Sequence, residues 1–178
     1  MNEVRLARPE DTEAVLKLLE TMNTETGVFN FDISLVKEVL AQLTVDRSKG
    51  VVGVIEDEGS VVATVGLSVM PAAWYTRDNT LYELWSFVHP DHRSSSHAKN
   101  LVRFSKECAE LVSASGSPMS FMSIVKIGDN TQRKMKLYAR QAAQLGMFSL
   151  YLYSPDKQYR RVKRRGDDYG RLVEVEVA

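Results

Sequence analysis

The residues best suited to chemistry lie in one stretch, from Leu81 to Leu111. It begins with apolar and aromatic residues typical of a buried strand, which ends at His89-Pro90 and leads into a polar loop, Asp91 to Ser96. Apolar residues then recur at the helical period from Ala98 onwards. A strand, a tight polar loop and a helix start form a typical anion site, because the first N–H groups of a helix have no partner within it. We therefore predict a phosphate site at this loop.

One charged side chain interrupts the apolar strand. Glu83 lies beside Tyr82, Leu84 and Trp85. A carboxylate within an otherwise apolar strand is costly unless it is paired or used in a reaction. The residues alone leave two interpretations open, which are an ion-paired strand residue and a general base.

Three histidines, His89, His92 and His97, crowd the loop together with Asp91. Such a cluster is compatible with a metal site. However, no cysteine supports that interpretation, and a metal at the predicted phosphate loop would compete with the anion. We therefore predict no metal site, and expect instead that one histidine helps to bind phosphate.

The bulk properties argue against several classes of partner. The chain has 178 residues and 23 basic and 23 acidic side chains, so charge gives no argument for nucleic acid or a membrane surface. No apolar run approaches the roughly 20 residues of a membrane helix, and residues 1–5 lack a signal-peptide start. The one cysteine, Cys108, suits a reducing cytoplasm, and its helical apolar pattern favours core packing over a nucleophile. We expect a cytoplasmic protein.

Periodicity predicts alternating strands and helices in a single domain, residues 1–178. Strands are predicted at 4–8, 51–55, 61–69, 81–88, 119–127, 147–153 and 172–177, and helices at 12–23, 35–43, 98–111 and 131–145. An irregular insertion at 71–79 carries Trp74, Tyr75 and Arg77. This order predicts a mixed α/β (α+β) class, with a largely antiparallel sheet and helices on its faces.

With this element order, the loop resembles the signature of the GNAT N-acetyltransferases, a large acyl-CoA-dependent family. The first family motif is a strand, then Arg/Gln-x-x-Gly-x-Gly/Ala, then a helix. Here Val88-His89-Pro90 matches the lead-in, and Arg93 and Ala98 occupy the outer motif positions. Ser94 and Ser96 stand where the family prefers glycine. Serine keeps the backbone N–H and adds a hydroxyl donor, while its Cβ limits positive φ.

The second family motif lies further along the chain. Asn130 follows the strand at 119–127, Leu137-Tyr138 lies in the next helix, and Gly146-Met147 follows that helix. The resemblance covers nearly the whole chain through its element order. It implies a GNAT-like fold, with a central, mostly antiparallel, twisted sheet of about six to seven strands flanked by about four helices.

The resemblance implies acetyl-CoA as the cosubstrate. Backbone amides of the 93–98 loop would hold its pyrophosphate, and the pantetheine arm would lie between the strands at 82–88 and 119–127. A backbone N–H near Phe87 or Val88 would polarise the acyl carbonyl. The implied cofactor-binding residues are Phe87, Val88, Arg93, Ser94, Ser95, Ser96, His97, Ala98 and Asn130.

The resemblance also implies two catalytic side chains. Glu83 would act as the general base, directly or through water, and Tyr138, at the family's Leu-Tyr position, would protonate the departing thiolate. A phenol is protonated at neutral pH, which suits that role. Alternatives stay open, because Tyr138 could pack one helical face and Asn130 could cap a helix rather than contact pantetheine.

The expected activity is transfer of an acetyl group from acetyl-CoA to an amine of a small molecule or a protein. Two other hypotheses stay open: a GNAT-fold module that binds without catalysis, and a nucleic-acid-associated protein acting through the basic run 160–165. The balanced charge argues against the second, and a solvated hairpin tip also explains the run. The final strands could pair with a second subunit, so a homodimer is also considered.

Overall fold

The computed structural model describes residues 3–26, 30–114, 119–123, 131–140, 158–162 and 171–175. The chain divides into two compact units, Met1–Ile124 and Val125–Ala178. The expectation of a single domain over residues 1–178 stays a prediction.

The first unit is built on a five-stranded sheet with the strands in chain order. The strands are β1 (Arg5–Leu6), β2 (Gly50–Asp57), β3 (Ser60–Pro71), β4 (Asn79–Val88) and β5 (Met119–Met122). The helices of this unit are α1 (Thr12–Thr26), α2 (Ile33–Val45) and α3 (His97–Ala114). The first four strands pair antiparallel, whereas β4 and β5 pair in parallel. A parallel pair needs a crossover, which α3 supplies between β4 and β5.

Two clusters of buried residues form the core of this unit. Because successive strand residues face opposite sides of a sheet, Val54 and Ile55 of β2 belong to different clusters. The cluster with α1 and α2 includes Val15, Leu16, Leu19, Leu40, Leu43, Val52, Val54 and Trp85. The cluster with α3 includes Ile55, Val65, Leu67, Leu81, Val88, Leu101 and Ala109. The near-continuous apolar runs of β2 and β3 are explained by this burial on both sides.

Polar contacts define where the first two helices begin. Asp32 caps α2 by accepting hydrogen bonds from the backbone N–H groups of Ser34 and Leu35, at 2.9 and 3.2 Å. Asp11, just before α1, accepts two hydrogen bonds from the guanidinium of Arg5, at 2.7 and 2.9 Å. Hydrogen bonding by Arg5 lowers the pKa of Asp11 below its usual value. This pair ties the short edge strand β1 to the start of the first helix.

The second unit contains α4 (Thr131–Ala139), β6 (Gln158–Val162) and β7 (Arg171–Val175). Strands β6 and β7 pair antiparallel in a sheet of their own. The predicted mixed fold with four helices is confirmed. Among the described residues the larger sheet has five strands, fewer than the six to seven predicted, and β6 and β7 pair with each other. The strand predicted at 147–153 lies outside the described residues.

None of the helices in the described ranges is both long enough and apolar enough to cross a membrane.

Candidate active site

Among the described residues, the second half of β4 has no strand beside it on the side opposite β3, and we call this unpaired edge the gap. Strand β5 pairs with β4 only from Asn79 to Tyr82, the last pair being Tyr82 with Met122. Beyond this point β4 continues to Val88, and no strand among the described residues pairs with residues 83–88 on that side. An unpaired strand edge offers backbone N–H and C=O groups to a bound molecule. This is the place that the family resemblance assigns to the pantetheine arm.

A β-bulge lies where the gap begins. Gly66 of β3 lies opposite Trp85, but the next residue, Leu67, lies opposite Glu83, so Leu84 is the extra residue on β4. Gly66 makes room for the indole of Trp85, since a Cβ at residue 66 would lie 2.3 Å from the ring. A bulge bends the strand and redirects the side chains on either side of it. The strand that borders the gap is therefore bent at its entrance.

The register with β3 shows which of two backbone N–H groups, that of Phe87 or that of Val88, points away from β3. The sequence alone could not distinguish them. The N–H of His89 donates to the carbonyl of Val62 on β3, at 2.9 Å. Hydrogen-bonded and non-hydrogen-bonded pairs alternate along antiparallel strands, so the N–H of Phe87 also points toward β3. The N–H of Val88 then points away from β3. The Val88 carbonyl agrees with this assignment, because it accepts a hydrogen bond from Nε of Arg93 at 3.1 Å rather than from β3.

The loop after β4 is held together by its own side chains. A short 3-10 turn, Pro90–His92, leads into it, and α3 begins at His97. The hydroxyl of Ser95 donates to the carbonyl of His92 at 2.6 Å and accepts from the N–H of His97 at 3.2 Å. Glu58 is the one non-glycine residue with positive φ among the described residues. Serine at the motif's glycine positions therefore causes no backbone strain in this loop.

Several amides of the loop are available to an anion. Three others are occupied, because the N–H groups of Arg93 and Ser95 donate to the carbonyls of Pro90 and His92, each at 3.3 Å, and that of His97 donates to the Ser95 hydroxyl. The N–H groups of Ser94, Ser96 and Ala98 donate to none of the residues that the structure describes, and all three residues are exposed. Exposed amides at the start of an 18-residue helix, with its positive dipole end, favour a phosphate oxygen.

The guanidinium of Arg93 makes three contacts within the protein. Besides the Val88 carbonyl, its guanidinium contacts the carboxylate of Glu25 at 2.6 Å and lies 5.3 Å from the ring centre of Phe87. Phe87 itself is buried. These contacts fasten the start of the loop to the end of β4 and to α1.

Glu83 lies at the entrance of the gap. Its carboxylate accepts a hydrogen bond from the hydroxyl of Ser123 at 2.9 Å. Ser123 comes directly after the last paired residue of β5, so this contact spans the two strands where their pairing ends. The carboxylate is half-buried and held by a neutral hydroxyl. Ser123 had no sequence signal that could reveal it as a neighbour of Glu83.

The remaining predicted residues lie in other parts of the chain. Tyr138 is half-buried in α4 of the second unit. Asn130 lies outside the described residues. In the first unit, the insertion between β3 and β4 carries Trp74 and Tyr75, which are 95% and 77% exposed and stack edge to face. Their exposure agrees with an irregular loop beside the sheet.

Cys108 packs against the core cluster that includes α3, and burial raises the pKa of its thiol to about 11. We therefore expect iodoacetamide to alkylate the folded protein slowly at neutral pH, with a rate that rises up to about pH 11. Labelling followed by mass spectrometry measures this rate, and urea-unfolded protein is the control. Labelling at neutral pH as fast as in urea would contradict core packing.

Comparison with known proteins shows which family and which solved structures the chain resembles. A model of the acetyltransferase (GNAT) family matches residues 14–142. No curated protein matches the sequence. Among solved structures, a possible acetyltransferase from Clostridium difficile 630 superposes with a TM-score of 0.64 at 18% identity, covering 85% of this chain and 96% of that one.

Two further solved structures carry more specific names. A ribosomal-protein-alanine N-acetyltransferase from Brucella melitensis has a TM-score of 0.60 and 20% identity, and the match covers 85% of this chain and 98% of that chain. AAC(6')-Iy, in complex with a CoA bisubstrate analogue, has a TM-score of 0.63 and 13% identity over 86% and 99% of the two chains. At these identities the likeness concerns the fold. The family match spans most of the chain, and the protein therefore belongs to the GNAT acetyltransferase family.

Proposed function

We propose that this protein transfers an acetyl group from acetyl-CoA directly to an amine in the cytoplasm. The observation that carries the proposal is the loop at the start of α3, which presents exposed amides immediately after the strand that borders the gap. This arrangement suits an elongated cosubstrate that has a diphosphate at one end of its pantetheine arm and a thioester at the other. Family membership supports acyl-CoA as the donor.

In the proposed reaction, the amides of the 93–98 loop hold the pyrophosphate, and the Val88 N–H polarises the acyl carbonyl. Glu83 takes a proton from the amine, directly or through water, as the nitrogen attacks the carbonyl carbon. The carbon–sulfur bond then breaks, and the thiolate leaves with a proton from Tyr138. The position of Glu83 at the gap entrance supports its role. The role of Tyr138 is supported by its place in the Leu-Tyr motif, and Asn130 is proposed to contact the pantetheine arm.

The acceptor is proposed to be an amine of a small molecule or of a protein. The names of the structural neighbours include both classes, since one acts on a ribosomal protein and others are aminoglycoside acetyltransferases. In this chain, the exposed ring pair of Trp74 and Tyr75 is the surface feature best suited to contact an acceptor. A homodimer is also proposed.

Calorimetric titration with acetyl-CoA tests the cosubstrate, and S-acetylpantetheine, which lacks the pyrophosphate and the nucleotide, tests the loop. We expect acetyl-CoA to bind and S-acetylpantetheine to bind much more weakly. Release of free thiol in the presence of a panel of small amines and peptides then tests transfer. Binding without any transfer would favour a non-catalytic module, and the absence of acetyl-CoA binding would contradict the proposal.

A charge reversal at the helix start separates anion binding from folding. Lys99 is exposed in the first turn of α3. We expect Lys99→Glu to leave the fold stable, since an acidic residue suits a helix N-terminus, and to weaken acetyl-CoA binding about tenfold at low salt. The matched control is Lys106→Glu further along the same helix, which should change affinity less than about twofold. Equal effects of both variants would contradict a pyrophosphate site at the loop.

A further inference from the structure

Three metal-binding side chains meet beside the loop. One ligand atom from each of Asp57, His92 and His97 lies within 4.8 Å of the others. Asp57 ends β2, His92 ends the 3-10 turn after β4, and His97 is the first residue of α3. These residues lie on three elements that only the folded sheet brings together. The cluster is formed by side chains, whereas the predicted phosphate site is formed by backbone amides.

The state of His97 is unusual for a buried residue. His97 is only 6% exposed, and its Nδ1 atom is buried without a hydrogen-bond partner among the described residues. A buried polar atom without a partner is destabilising, and such atoms are rare in native proteins. Binding of an ion by Nδ1 of His97 would remove this penalty.

The geometry of the other two residues suits a small ion. Nδ1 of His92 lies 3.4 Å from Oδ2 of Asp57. Zinc bonds to nitrogen and oxygen of about 2.0–2.2 Å in a tetrahedron place neighbouring ligand atoms roughly 3.4 Å apart. Both side chains are about two-thirds buried, which leaves the cluster open to solvent on one side. Two imidazoles and one carboxylate with an open position form a common ligand set for zinc and related divalent ions.

We propose that Asp57, His92 and His97 bind a zinc ion. Three protein ligands leave a fourth position for water or another oxygen. From the sequence we predicted no metal site, with Asp91 as the acidic neighbour of the histidines. Asp57 was not considered, because only the pairing of β2, β3 and β4 brings it close to them. The competing explanation is an ion pair between Asp57 and protonated His92 with no metal, and the experiment below distinguishes the two.

A metal here need not displace a phosphate. His92 and His97 flank residues 93–96, and their imidazoles would bind the ion while the loop amides stay available. The ion would fasten the loop to the end of β2, and its positive charge would attract an anion rather than exclude it. The proposed role is therefore to hold the loop in one conformation, whether or not acetyl-CoA is the ligand.

The test uses untagged full-length protein that has been treated with a chelator, without acetyl-CoA. Zinc binding is measured by calorimetry, and cobalt is added as a spectroscopic probe of the ligand geometry. We expect one zinc per chain and a cobalt absorption band typical of tetrahedral coordination. Asp57→Asn and His92→Ala should each weaken zinc binding at least about tenfold, because each removes a direct ligand.

His89→Ala is the matched control. His89 lies in the same segment, with its ring centre 6.1 Å from that of His92, but it is not part of the cluster. We expect its zinc affinity to equal that of the unmodified protein. No binding of zinc, an equal loss in the His89 variant, or full affinity in the Asp57 variant would overturn the proposal. Because acetyl-CoA is absent, a negative result here leaves the proposed acetyl transfer unaffected.

Discussion

We expect Glu83→Gln to lower kcat by about 10²–10⁴-fold, the usual contribution of a general base. The amide has nearly the same size as the carboxylate and can still accept the hydrogen bond from Ser123, so the strand and the gap should keep their structure. It cannot accept a proton from the amine. Steady-state kinetics with the best acceptor from the amine panel measures the loss, together with acetyl-CoA affinity, which should not change.

The control for Glu83→Gln is the same chemical change on the outer surface of α3. Glu110 is exposed and pairs with Lys106 at 3.4 Å, so Glu110→Gln should leave kcat unchanged. If Glu83→Gln also kept full kcat, the contact between Glu83 and Ser123 would be purely structural. A loss of acetyl-CoA affinity equal to the loss of kcat would likewise contradict a role confined to proton transfer.

We expect Gly50→Ala to reduce the free energy of unfolding by about 3–5 kcal/mol, because it combines backbone strain with overpacking. Gly50 starts β2 with φ of +150°. A Cβ there would lie 2.0 Å from the carbonyl oxygen of Leu67 and 2.7 Å from Cδ2 of Leu43. Both neighbours are fully buried, so neither can move away without disturbing the core.

Gly59→Ala is the matched control for this prediction. Gly59 also has positive φ, +79°, but nothing lies within 4 Å of the added Cβ. This variant isolates the cost of backbone strain, which should be about 1–2 kcal/mol. Urea unfolding followed by circular dichroism measures both variants. A loss for Gly50→Ala no larger than that for Gly59→Ala would mean that β2 and β3 separate easily at this end.

Much of the fold could be predicted because each element carries local signals. The β-branched runs around Val52 and Val65 indicate buried strands, and Asp32 lies where a helix cap is expected. The sequence carries no such signal for the bulge at Leu84, because the bulge depends on how β3 and β4 pair. The strand at 158–162 was not predicted, because Arg160 and Arg161 belong to a basic run that was interpreted as a solvated hairpin tip.

The candidate site could be predicted only where its residues lie close together in the sequence. The loop 93–98 follows from a strand, a proline and a helix start that are consecutive in sequence. The choice of Val88 over Phe87 needed the register with β3. The hydroxyl of Ser123 and the carboxylate of Asp57 lie far in sequence from the residues that they contact, so no spacing rule could find them.

The parallel pairing of β4 with β5 also has a consequence for the order of folding. Thr80 and Ser120, which meet across this pair, are 40 residues apart in sequence, as are Glu83 and Ser123. Strands β2, β3 and β4 are instead joined by short connections. Closing a long loop loses more chain entropy, and contacts distant in sequence form late. We therefore expect the antiparallel strands to form first, and the gap beside Glu83 to be completed only when the chain returns through α3.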